Sequence, residues 1–206
     1  MKRILFTLFG LGWAYGALAF DPSSVVKIIS HPCNDHLRFF AGSGLVFKEE
    51  NRTYILTSEH VLLHANRNIC HKVTSSNLGL QEATLVQADW GTGLALLEIN
   101  GPVPKTAPSI DFLNASLPEV NSSATAYGFP FRSEELTQDN TARVLQVKSH
   151  RGLIPLAPEM IELVGGFVEY GMSGGPVISN SNDTFLGVLS HQAFQLVASH
   201  PSQVVE

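Results

Sequence analysis

Short apolar runs, broken by turn residues roughly every eight to twelve positions, recur along most of this chain and point to an all-β fold. In the first half the runs place strands near Val25–Ser30, Leu37–Phe47, Thr53–Thr57, Ile69–Thr74, Ala83–Gln87 and Leu94–Ile99. One short helical turn is expected over His60–Ala65. Gly101-Pro102-Val103-Pro104, continued to Pro108, reads as a stiff connection between two units. The second half places strands near Ala124–Gly128, Arg143–Ser149, Met160–Val164, Pro176–Ser179 and Phe185–Ser190, with a further one at Phe194–Ala198.

The first residues read differently. Lys2 and Arg3 precede an apolar run from Ile4 to Leu18, and Ala17-Leu18-Ala19 forms a small-x-small cleavage site. A secretory signal peptide over 1–19 is expected, and the run is too short and too glycine-broken for a comfortable membrane span. The domain plan is thus a signal peptide (1–19), an N-terminal unit (20–100), a linker (101–108) and a C-terminal unit (109–206). Loss of Lys2 and Arg3 takes the formal charge from −5 to −7. An acidic surface of that kind argues against nucleic acid and anionic membranes as partners. Hydrophobic residues make up 44% of the chain and charged ones 15%, enough for a well-buried core.

Gly171-Met172-Ser173-Gly174-Gly175-Pro176 carries the chemistry. A serine sits in a run that only a glycine-permitted backbone can follow, and an apolar strand comes next. Acyl transfer needs a hydroxyl exposed on such a turn, with backbone N–H groups converging on one point to hold an oxyanion. A turn of this composition is also found as a plain β-turn, so its meaning depends on a base elsewhere.

The base is supplied by Thr57-Ser58-Glu59-His60-Val61, which follows the apolar Tyr54-Ile55-Leu56. Upstream of both, Ala41-Gly42-Ser43-Gly44 opens another strand. With these three motifs in this order, the chain resembles the chymotrypsin-like serine peptidases, in particular the bacterial trypsin-like, glutamyl-endopeptidase and HtrA-type branch. The resemblance spans roughly Phe39 to Gln192. It implies a double six-stranded β-barrel with the active site in the cleft between barrels. It further implies Ser173 as nucleophile, His60 as general base, and the amides of Gly171 and Ser173 as oxyanion hole.

The family's acid is displaced. Its aspartate opens a strand of the type D-(L/I)-A-L-L, whereas this chain reads Gly93-Leu94-Ala95-Leu96-Leu97. Asp89 lies four residues earlier. In an extended chain that puts its carboxylate roughly 13 Å away, but Gly91 and Gly93 permit a curled loop that carries it back toward His60. Glu98 has the wrong strand parity. Asp89, Ser190 or an ordered water therefore stands open as the group that orients His60. In the family's mechanism the aspartate holds the histidine tautomer and stabilises the imidazolium, and its replacement slows turnover by about 10⁴.

The resemblance also places Ser190, His191 and Phe167 around the substrate. Ser190 and His191 fall on the strand that binds substrate backbone, and Phe167 lies near the base of the specificity pocket. No aspartate occupies that base, so a small or apolar preference is expected over Lys or Arg. Met172 stands where digestive relatives carry the aspartate that pairs with a new N-terminus, so activation of that kind is not expected. Cys33 and Cys70 bracket the His60 segment, and an even count in an exported chain suggests a disulfide, with two buried thiols as the alternative. His60 and His64 share a helical face, but the glutamate of an H-E-x-x-H site is missing, so neither metal nor cofactor is expected.

Two functions follow from these readings. One is an exported serine endopeptidase acting on protein or peptide substrates, secreted or periplasmic and not inserted in a membrane after signal cleavage. The other is a pseudopeptidase that keeps the cleft as a protein-binding module. Retention of His60 and Ser173 favours the first, and Gly93 favours the second.

Overall fold

The computed structural model describes residues 20–35, 37–62, 68–89, 93–101, 119–131, 133–139, 143–149, 159–164 and 169–189. The segment 1–19 expected as a signal peptide, most of the expected linker, and the positions of His64, Phe167, Ser190 and His191 lie outside them. So does the strand expected at 194–198.

The first half is a closed barrel of six antiparallel strands: β1 (Val25–Pro32), β2 (Phe40–Glu49), β3 (Arg52–Ser58), β4 (Ile69–Ser75), β5 (Gly79–Asp89) and β6 (Leu94–Ile99). Their order around the barrel is β1-β2-β3-β6-β5-β4. Strict alternation sets the inward face of β6, where Ala95, Leu97 and Ile99 are buried and Leu94, Leu96 and Glu98 are not. The interior is filled by Val26, Ile28, Val46, Ile55, Val73, Ala83, Ala95, Leu97 and Ile99. A 3-10 turn at Glu59–Leu62 adds Val61 and Leu62 to the same core. It overlaps the turn expected over His60–Ala65, of which 63–65 lie outside the described residues, and it is a 3-10 turn starting one residue earlier.

β1 breaks the alternation, because its outer face is covered as well. Val25 is buried there, and the buried Lys27 sends its ammonium to the Ser133 carbonyl (2.9 Å) and to Glu134 (2.7 Å). Phe20 packs on Tyr127 with ring centroids 4.8 Å apart. The cover comes from the second half of the chain, which therefore docks on β1 and not merely beside it.

That second half contains β7 (Ala124–Gly128), β8 (Thr137–Asp139), β9 (Arg143–Ser149), β10 (Glu159–Val164), β11 (Pro176–Ser179) and β12 (Phe185–Val188). They form a four-stranded sheet, β12-β11-β7-β8, and a two-stranded one, β10-β9. Ala124, Ala126, Leu163, Met172, Val177 and Leu189 make its core. The architecture is all-β, with one closed barrel and, among the described residues, two sheets in place of a second closed barrel. No described helix is long and apolar enough to cross a membrane.

The expected covalent link is present. Cys33 and Cys70 form a disulfide with their Cα atoms 5.0 Å apart. It ties the end of β1 to the start of β4, where His31 already lies opposite Cys70. The loop it closes contains β2, β3 and His60.

Candidate active site

The turn that carries Ser173 is held by residues of the first barrel. Ser43, in β2, donates its amide to the Ser173 carbonyl (2.7 Å) and its hydroxyl to the Gly171 carbonyl (2.8 Å). The same hydroxyl accepts the Phe129 amide at 2.8 Å. Thr57, near the end of β3, donates to the Ser43 carbonyl (2.7 Å). Gly174 adopts φ +87°, and a Cβ there would strike the Ser43 carbonyl and the Thr57 hydroxyl. The turn therefore needs glycine twice over, for its dihedral and for its contact with β2. A methyl on Gly42 would meet Val61, the residue after His60, and come within 3.0 Å of the Ser173 carbonyl oxygen. The His60 and Ser173 segments thus converge on the same end of β2.

Two peptide planes in this turn have anchored carbonyls. The Tyr170 carbonyl accepts the Phe131 amide at 2.6 Å, and the Met172 carbonyl accepts the Gly175 amide at 3.0 Å. In a trans peptide the N–H points opposite to the C=O. Fixing these two carbonyls fixes the directions of the Gly171 and Ser173 amides, which have no hydrogen-bond partner among the described residues. Met172 itself is fully buried in the second core, with the Glu169 amide 3.4 Å from its sulfur. Phe131 also stacks on Phe39 (5.6 Å) and meets Tyr170 edge-on (6.5 Å), forming a partly exposed aromatic rim next to Gly171.

His60 is half-buried on the 3-10 turn. Its Nδ1 lies 2.9 Å from the hydroxyl of Ser58, the last residue of β3, and Ser58 is 1% exposed. The Ser58 hydroxyl in turn lies 3.2 Å from the carbonyl oxygen of Gly93. That carbonyl also accepts the Glu59 amide at 2.9 Å.

Asp89 ends β5, and its carbonyl accepts the Gly93 amide at 2.8 Å. Gly93 is thus bonded back to the residue that ends β5. Leu94 lies opposite Asp89 on one side and opposite Ser58 on the other. Two inter-strand spacings, about 10 Å, thus separate the Asp89 and Ser58 backbones. The Asp89 side chain is exposed. Glu98 faces the other end of the barrel, where it lies 3.4 Å from Arg52.

His60, Ser173 and Gly171 stand out in the sequence, whereas the contacts of Ser58 with His60 and of Ser43 with the Gly171 segment do not. The signals were a hydroxyl two residues before the histidine and the serine inside Gly42-Ser43-Gly44. No group of three or more His, Cys, Asp or Glu side chains among the described residues is placed to hold a metal ion.

A closed β-barrel whose rim pins a Gly-x-Ser-Gly-Gly turn defines the class of chymotrypsin-like serine peptidase folds. The model of the trypsin-like peptidase domain matches residues 42–188, and the chain belongs to that family. Among solved structures it is similar to the Rv3671c protease from M. tuberculosis. For the active form the identity is 24%, over 81% of this chain and 69% of that one, with a TM-score of 0.63. For the inactive form it is 26%, over 81% and 76%, with a TM-score of 0.60. It is also similar in fold to Deg5, at 22% identity over 82% of this chain and 80% of that one, with a TM-score of 0.65. No curated protein matches the chain in sequence.

Proposed function

We propose that this protein is an exported serine endopeptidase. Ser173 attacks the scissile carbonyl carbon while His60 takes the hydroxyl proton at Nε2. The oxyanion that forms is held by the Gly171 and Ser173 amides. His60 then gives the proton to the departing amine as the C–N bond breaks, and water repeats the sequence to release the acyl group. The observation that carries this reading is the pair of anchored peptide planes at 170–171 and 172–173. Their carbonyls are held from behind, so both amides are aimed before substrate arrives. Each donor of this kind is worth about 10²–10³ in turnover. The aromatic rim of Phe39, Phe131 and Tyr170 supports a preference for apolar substrate residues. The disulfide supports residence in an oxidising compartment.

A second reading is a pseudopeptidase that binds a protein in the same cleft. One observation favours it: Gly93 stands where the family carries its acid. A fluorophosphonate probe separates the two readings. Stoichiometric labelling of purified protein at neutral pH, lost in Ser173→Ala, is the expected result. Equal labelling of both proteins, or none of either, sinks the peptidase reading.

A further inference from the structure

We propose that Ser58 is the positioning residue for His60, holding its imidazole in the Nδ1–H form through a relay to the main-chain carbonyl of Gly93. The inference rests on the peptidase reading for its kinetic consequence, but the relay itself is independent of activity.

The proton count follows from the acceptors. The proposed relay assigns the single hydroxyl proton of Ser58 to the Gly93 carbonyl, 3.2 Å away, which can only accept. The Ser58 oxygen then presents lone pairs to Nδ1 of His60 at 2.9 Å. With the hydroxyl proton so placed, Nδ1 is the donor. A neutral imidazole with its proton on Nδ1 leaves the Nε2 lone pair open to take the serine proton. The aspartate of a triad enforces the same tautomer.

The relay is built, not incidental. Ser58 is buried at the end of β3, so its hydroxyl cannot trade partners freely with water. Gly93 adopts φ +69° with its amide bonded to the Asp89 carbonyl, and its own carbonyl accepts from both Ser58 and Glu59. The chain has thus replaced a side-chain carboxylate at position 93 by the backbone carbonyl of the same residue, reached through one hydroxyl. The substitute fixes the tautomer but carries no formal charge. It stabilises the imidazolium less than a carboxylate does, so the relay predicts a correctly oriented but slow base.

The test reads the tautomer and the rate separately. In ¹⁵N-histidine NMR of the full protein near pH 8, with His60→Gln identifying the signal, His60 is expected as the Nδ1–H form. In Ser58→Ala it is expected to move toward the Nε2–H form. The second hydrogen bond to the Gly93 carbonyl, from Glu59, remains in that variant, so the fold is expected to hold. Fluorophosphonate labelling of Ser173 is expected to slow about tenfold in Ser58→Ala, the loss of one hydrogen bond to the base, and to recover in Ser58→Thr. An Nε2–H form in the unaltered protein overturns the proposal. So does unchanged labelling in Ser58→Ala, above all if Asp89→Asn slows it instead. Absence of labelling in the unaltered protein refutes the peptidase reading alone, and the NMR result still decides the role of Ser58.

Discussion

The hydroxyl of Ser43 lies 2.8 Å from the carbonyl oxygen of Gly171, a residue 128 positions away in the chain. With the Phe129 amide on its other side, this one hydroxyl joins β2 to the Gly171 and Phe129 segments at once. Ser43 is fully buried, so Ser43→Ala leaves a carbonyl and an amide without water to replace the lost partner. The variant is expected to lose about 1–3 kcal/mol of stability, read as a lowered urea midpoint. Its Ser173 labelling by fluorophosphonate is expected to slow beyond what the folded fraction explains, because the Gly171 peptide is no longer held. An unchanged midpoint would show that the two hydrogen bonds contribute nothing net.

Gly174 and Gly93 both hold positive φ, +87° and +69°, yet they should respond differently to a methyl group. At Gly93 a Cβ meets nothing within 4 Å. Gly93→Ala is therefore expected to cost only the left-handed backbone term, about 1–2 kcal/mol. At Gly174 the Cβ runs into the Ser43 carbonyl and the Thr57 hydroxyl. Backbone cannot retreat without opening the turn, so Gly174→Ala adds an overpacking cost of about 1–3 kcal/mol to the same dihedral term. Thermal unfolding of the two variants should differ accordingly, and only Gly174→Ala should abolish Ser173 labelling. Equal destabilisation of the pair would contradict the close approach of the turn to β2.

Much of this was legible from local pattern. β7, β9 and β11 have the limits that their apolar runs dictate, because each run is bounded by turn residues. β5 starts four residues before its expected start, since Gly79 to Glu82 are polar or exposed and join by pairing with β4, not by hydrophobicity. β8 is a three-residue polar strand, Thr137–Asp139, recruited by β7, and nothing local announces it. The same distinction runs through the site. His60 and Ser173 stand in motifs whose local backbone needs are visible in the sequence. The role proposed for Ser58 arises only where the Gly93 carbonyl comes beside β3, a contact between residues 35 positions apart.

The disulfide makes the His60 segment a closed loop, with Cys33 and Cys70 separated by 37 positions. Chain-entropy arguments value a loop of that size at about 4 kcal/mol. Cys33→Ser/Cys70→Ser is expected to unfold at a markedly lower urea concentration than the oxidised protein. The loop includes β2 and β3, so both Ser43 and Ser58 depend on it, and labelling of Ser173 should fall under reducing conditions. A reduced protein with an unaltered midpoint would place the stability of the barrel wholly in its strands.

His71 links the barrel to pH. It lies in β4, buried, with Nδ1 2.9 Å from the Ser30 hydroxyl across the β1–β4 pair. Burial holds its pKa down at about 4, and the neighbouring His31 charge adds in the same direction. The unfolded chain takes up this proton near pH 6.5, whereas the folded one resists it until about 4. The unfolded state therefore binds more protons between these values, and stability must fall as pH falls. The contribution of His71 is fully present above pH 6.5. It declines by at most about 1.4 kcal/mol per pH unit, and levels off below about pH 4. Urea midpoints at pH 7 and pH 4.5 should thus converge less in the unaltered protein than in His71→Gln, whose side chain does not titrate. Carboxylates titrate in the same interval, but they do so in both proteins and drop out of the difference. Parallel pH profiles for the two proteins would mean that His71 takes up its proton inside the folded barrel as readily as outside it.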